Sequence, residues 1–159
     1  MNASNSNLTL LRTEITHRDF QTLVKQLDDE FWIRYPDTQQ NFEPFNKLDG
    51  QARVVLAIVA GTAAGCGCFR PMKGEPSVAE IKRMYVAPAY RNQGIARQVL
   101  ASLEQWALQE GFQCARLETG IRQPEAIAVY QRAGYTIIPN FPPYVNVEES
   151  ICMEKKLVG

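Results

Sequence analysis

Short apolar runs, bounded by turn residues and too brief for helices, occupy Leu8–Glu14, Ala52–Ala60, Ala64–Pro71, Val78–Val86 and Cys114–Thr119, with polar and charged residues interleaved most clearly in Val78–Val86. Such runs predict strands. A period near 3.6 holds between His17 and Ile33, where Phe20, Leu23, Val24, Leu27 and Phe31 fall on one helical stripe. Thr16 followed by Asp19 suggests a capping box for this helix. The stripe Ile95, Val99, Leu103, Trp106 and Ala107 predicts a second helix, with Gly111 placed to stop it. Pro124 suits the first position of a third helix, and Gly134 its left-handed cap.

Turn residues separate these runs. Tyr35-Pro36 ends the first helix, because the residue before proline is driven away from helical angles. Residues 36–50, with Pro36, Pro44 and Gly50, read as a loop at the rim of a site. Gly61-Thr62 and Gly74–Ser77 read as turns. Tyr135–Ile138 and Ser150–Lys156 are two further strands, joined through the proline-rich Pro139–Tyr144. Residues 1–7 read as a disordered tail and 8–159 as one domain. Strands alternating with helices, and hairpins at both ends, give a mixed α/β sheet.

Charge narrows the partners. Lys plus Arg and Asp plus Glu number 17 each, so the formal net charge is zero. Neither nucleic acid nor an anionic membrane is expected as the main partner. The polar start and the lack of any run near ~20 apolar residues point to a cytoplasmic protein. Cys66, Cys68, Cys114 and Cys152 have no histidine or second close cysteine pair to complete a zinc site, so reduced, mostly buried thiols are expected.

The candidate chemistry lies in Glu80-Ile-Lys-Arg-Met-Tyr-Val-Ala-Pro-Ala-Tyr-Arg-Asn-Gln-Gly-Ile-Ala-Arg97. It is a strand, a short loop and a glycine-marked helix start, and a helix start offers free N–H groups to phosphate. Arg91, Gly94 and Ala96 make the pattern R-x-x-G-x-A. Downstream, Gln123-Pro-Glu-Ala-Ile-Ala-Val-Tyr-Gln-Arg-Ala-Gly-Tyr135 matches N-x-x-A-x-x-x-Y-x-x-x-G-F/Y except for Gln123. In this order the two segments resemble the signatures of the GNAT superfamily of N-acetyltransferases, from about Ala52 to about Leu157.

The resemblance implies a mainly antiparallel sheet flanked by helices, with splayed central strands. It implies acetyl-CoA as cosubstrate, bound by main-chain groups of Met84, Tyr85 and Val86 and by the loop Arg91, Asn92, Gln93, Gly94, Ile95, Ala96 and Arg97, with Gln123 nearby. Arg91 and Arg97 are expected on phosphate. It also implies direct transfer to a primary amine, with Glu80 as base and Tyr130 as the acid for the thiolate; Glu118 is the rival base. A homodimer is possible by the same analogy.

Phe31, Trp32, Arg34, Tyr35, Arg70, Arg83 and Tyr144 fall in regions expected to line the acceptor site. Arginines there suit a carboxylate-bearing metabolite. A lysine or N-terminal acetyltransferase and a non-catalytic CoA sensor are the alternatives. Strict alternation would put Arg83 and Tyr85 on the face opposite Glu80, Lys82 and Met84. Glu80 and Arg83 would then not share a cleft.

Overall fold

The structure is a computed structural model that describes residues 7–36 and 48–157. Its strands are β1 (Leu8–Thr13), β2 (Arg53–Val59), β3 (Thr62–Met72), β4 (Glu75–Val86), β5 (Cys114–Gly120), β6 (Thr136–Ile138) and β7 (Ser150–Lys156). The helices are α1 (Arg18–Arg34), α2 (Ile95–Gln109) and α3 (Pro124–Arg132). All seven strands join one sheet in the order β1-β2-β3-β4-β5-β7-β6. Every neighbouring pair is antiparallel except β4 and β5, which are parallel. A parallel pair needs a crossover, and α2 supplies it.

Successive residues of the apolar strands face two layers of core. Val54 and Leu56 of β2, with Cys66 and Cys68 of β3, pack under Phe20, Leu23 and Leu27 of α1. Val55, Ala57, Phe69 and Ile81 point the other way, to Val99, Leu100, Leu103 and Ala107 of α2. Each large aliphatic side chain fully buried here contributes ~1.5–3 kcal/mol relative to exposure. Trp106 and Phe112 set their rings edge-on to Phe69, at centroid distances of 5.8 and 5.6 Å. Gly67 permits the close approach of α2, because a Cβ there would lie 2.4 Å from the Met84 sulfur and 3.0 Å from Leu103.

Several local expectations change. The cap of α1 is His17, whose Nδ1 accepts from the Asp19 N–H at 3.1 Å. Thr16 instead donates its hydroxyl to Glu14, so no capping box forms. The β2–β3 turn is Ala60-Gly61 rather than Gly61-Thr62, with both φ angles positive, 48° and 84°. Two positive φ angles give a turn whose twist matches the hairpin. β4 starts at Glu75, three residues before the apolar run, because Glu75 pairs with Met72 across the hairpin before the register shifts at Pro71 and Met72. The expected tail falls outside the described residues except for Asn7, whose carbonyl accepts from Ala60 N–H at 3.3 Å. Most of the expected 36–50 loop, including Pro44, also lies outside them. No described helix is long and apolar enough to cross a membrane.

Candidate functional site

Two features of the backbone create the site. Pairing of β4 with β5 runs from Val78 opposite Cys114 to Ile81 opposite Leu117, and there it stops. Both strands continue, to Val86 and Gly120, so the sheet opens between them. The second feature is a bulge in β4. Cys68 faces Lys82 and Cys66 faces Tyr85, so Arg83 and Met84 together oppose the single residue Gly67. Arg83 takes φ 60°, a left-handed value that side chains other than glycine adopt at a cost.

The extra residue re-phases the strand. Met84 and Val86 pack on the α2 side. Tyr85 packs beneath α1, and the Arg83 guanidinium pairs with Asp28 of α1. Glu80, Lys82, Arg83 and Tyr85 therefore share a face, contrary to strict alternation. Glu80 and Arg83 do line one cleft, together with Leu27 and Phe31 of α1, Glu118 and Gly120 of β5, Gln123, Tyr130 and Tyr144.

Beyond β4, a short 3-10 turn (Pro88–Tyr90) leads into the loop before α2. Asn92 and Gly94 both have positive φ, 63° and 78°. A Cβ on Gly94 would meet nothing within 4 Å, so within the protein its glycine answers a backbone angle rather than crowding. No side chain caps α2, and its first intrahelical bond is Gln98 N–H to Gly94 carbonyl at 3.2 Å. The N–H groups of Ile95, Ala96 and Arg97 thus have no partner within the helix. The Gln93 Oε1 atom is buried without a hydrogen bond among the described residues. This loop fits an anionic group set against open backbone donors.

Arg91, expected on a phosphate, is bonded here to groups of the protein. Its Nη2 donates to both carboxylate oxygens of Glu30, at 2.8 and 3.0 Å, and its Nε to the Val86 carbonyl at 2.9 Å. The guanidinium also lies 5.6 Å from the centroid of the Tyr85 ring. Arg91 ties the loop to α1, while Arg97 is exposed at the helix start.

Ionisable groups crowd the cleft floor. Arg70 Nε donates to Glu80 Oε1 at 3.1 Å, and Lys82 Nζ lies 3.7 Å from Glu80 Oε2. Across the opening, Glu118 accepts from the Ser150 hydroxyl at 2.7 Å. Burial raises the Glu118 carboxyl above its usual range, and nearby Lys82 opposes the rise. Burial also lowers the Lys82 ammonium, partly offset by Glu80. Burial holds the Tyr130 phenol well above its ordinary value. Its ring packs on Tyr135 at 6.0 Å.

The thiols beneath the bulge are closed off. Cys66 donates to the Arg83 carbonyl at 3.5 Å and Cys68 to the Lys82 carbonyl at 3.3 Å. Burial pushes Cys68 up to about 12 and raises Cys66 as well. All four cysteines are free thiols. No cluster of metal-ligating side chains occurs among the described residues.

One wall depends on Tyr35, at the end of α1. Its hydroxyl accepts from the Arg122 N–H at 3.1 Å and engages the Gln123 side chain. Arg122 stacks over its ring at 5.1 Å and donates to the Arg34 carbonyl and to Glu149. A Cβ on Gly120 would lie 1.9 Å from the Tyr35 hydroxyl, so this wall requires glycine. Gln123 thus serves Tyr35 and leaves α3 without a side-chain cap. Of the residues expected at the acceptor site, Phe31, Tyr35, Arg83 and Tyr144 line the cleft. Trp32 is exposed, and Trp32, Arg34 and Arg70 are not among the lining residues; Arg70 reaches the site through Glu80. Asp28, Glu30 and Gly120 carried no sequence signal, because a charged helix face and a strand-end glycine are common in any fold.

Comparison with known proteins places this geometry. Residues 16–135 match the profile of the Acetyltransferase (GNAT) family. The chain is 31% identical over 152 residues to the IAA acetyltransferase of Azospirillum brasilense, covering 95% of this chain and 99% of that protein. A crystal structure from Klebsiella pneumoniae, of a protein classed as an acyl-CoA N-acyltransferase, superposes with a TM-score of 0.79 at 32% identity, over 94% of this chain and 97% of that one. The same fold occurs in a protein from Bacillus anthracis classed as a streptothricin acetyltransferase and solved in complex with acetyl coenzyme A. That match has a TM-score of 0.58 and 19% identity, over 71% of this chain and 66% of that one.

Proposed function

The chain belongs to the GNAT acetyltransferase family and is an acyltransferase; from that premise we propose that it moves the acetyl group of acetyl-CoA onto a primary amine of a small molecule. The carrying observation is the opening of β4 from β5 after Ile81 and Leu117, bounded by the uncapped start of α2 and floored by carboxylates. Bound acetyl-CoA supplies the activated acyl group. The N–H groups of Ile95, Ala96 and Arg97 would hold its pyrophosphate, and main-chain groups of Met84, Tyr85 and Val86 would hold its acyl arm.

This chain's own residues then manage protons. An amine of pKa ~10.4 is almost fully protonated at neutral pH and must lose a proton before it can attack. A carboxyl with a raised pKa matches that task better than one held between two cations. Glu118 has the raised value, whereas Glu80 faces both Arg70 and Lys82. The geometry therefore favours Glu118 as the base over Glu80, with Glu80 balancing the charge of Lys82. Tyr130 stays protonated at the cleft wall and can donate to a departing thiolate. The sealed thiols of Cys66 and Cys68 favour direct transfer with both substrates bound.

The test is acetyl-CoA-dependent thiol release against amino acids, polyamines, aminoglycosides and lysine peptides. Release is expected with a small amine. Glu118→Gln is expected to lower kcat by roughly 10²-fold or more at neutral pH, with Glu80→Gln less affected. The reverse order would return the base to Glu80. Strong preference for lysine peptides would favour a protein acetyltransferase.

A further inference from the structure

We propose that Arg83 recognises a carboxylate on the acceptor, so that the substrate is an amino acid or another small carboxylate-bearing amine. This rests on the acetyl-transfer function above and names its substrate class. Arg83 brings an uncommitted donor to the cleft: its Nε is buried and has no hydrogen-bond partner among the described residues. Arg70 and Lys82 both face Glu80, and Glu118 is held by Ser150.

The side chain of Arg83 is only 3% exposed, yet its pairing is one-sided. Nη2 reaches a single oxygen of Asp28, whose own side chain is 43% exposed on α1. Nε and Nη2 form the edge of a guanidinium that grips a carboxylate with two parallel hydrogen bonds. Asp28 uses one donor of that edge and leaves the other empty. Water competes for Asp28, so an incoming carboxylate can share or take its place.

The backbone points the same way. A long side chain at φ 60° inside a strand is a costly conformation. Its effect is to turn the side chain to the α1 side, where the guanidinium meets Asp28 and Arg83 joins the lining of the cleft, whereas regular alternation would have sent it to the opposite face. Leu27, Phe31 and Tyr35 give the neighbouring wall an apolar character suited to the rest of a small amino acid.

The experiment compares amino acids with their carboxamides, using alanine, leucine and phenylalanine, as acetyl acceptors. Values of kcat/KM are corrected for the free-base fraction of each amine. The wild type is expected to favour carboxylates by about ten- to hundredfold, the range for a charge-assisted bond. Arg83→Gln is expected to bring the ratio near one. Asp28→Asn, which keeps Arg83, is expected to raise the ratio by lowering KM for carboxylates alone. A wild-type ratio of one, or a ratio unchanged in Arg83→Gln, would overturn the proposal. If the wild type acetylates no amine of either kind, acetyl transfer to amines itself fails. Titrating ¹⁵N-labelled protein with leucine then decides on Arg83 separately: a shift of its Nε–H signal supports carboxylate recognition, and an unmoved signal refutes it.

Discussion

At the scale of single residues, the site is a set of unequal carboxyl groups. Glu118 titrates above its usual value because burial penalises its charge. A carboxyl raised in the folded state binds its proton more tightly there than in the unfolded chain. Its contribution to stability therefore falls as pH rises from the ordinary carboxylate value through the raised one. Urea midpoints measured across that window should fall more steeply for wild type than for Glu118→Gln; parallel curves would show that the Glu118 pKa is not raised. The sequence pointed to Glu80, Glu118 and Tyr130 through motif and strand position, and all three line the cleft. It could not rank the two carboxylates, because their difference lies in Arg70, Lys82 and Ser150, which meet them only through strand register.

At the scale of elements, β4 carries most of the function. Its identity was legible as alternating apolar and charged residues, but its bulge was not. The bulge depends on Arg83 and Met84 facing the single Gly67, a cross-strand relation no local pattern displays. That is why Arg83 was expected on the wrong face. The start of α2 was plain in Gly94, whose φ of 78° and lack of crowding match a turn into a helix. Gly94→Val forces a branched residue into a left-handed angle at ~1–2 kcal/mol and intrudes on the backbone donors. Calorimetry should show at least roughly tenfold weaker acetyl-CoA binding, with an unchanged circular dichroism spectrum. Wild-type affinity would remove the pyrophosphate from this loop.

At the scale of the whole molecule, the cleft exists because α1 is tied down at several points around it. Glu30 holds Arg91, Asp28 holds Arg83, and Tyr35 locks onto Arg122 and Gln123. None of these ties was readable beforehand, since each joins residues more than fifty positions apart. The elements themselves were readable, because apolar stripes mark the helices and short apolar runs mark the buried strands. Gly120→Ala tests the Tyr35 tie. The new methyl group collides with the Tyr35 hydroxyl, so urea unfolding should show a loss of ~1–3 kcal/mol. In a double-mutant cycle with Tyr35→Ala, which clears the space, most of that loss should vanish. Additive losses would mean that Tyr35 packs elsewhere in solution.

The most direct test of acetyl transfer to an amine uses acetyl-CoA labelled in its acetyl group. The enzyme is incubated with the amine panel, and the label is followed by mass spectrometry alongside thiol release. The geometry predicts label in a new amide on one small amine, matched by an equal amount of released thiol. Label that stays on acetyl-CoA with every amine, or that accumulates on a cysteine of the protein, would contradict it.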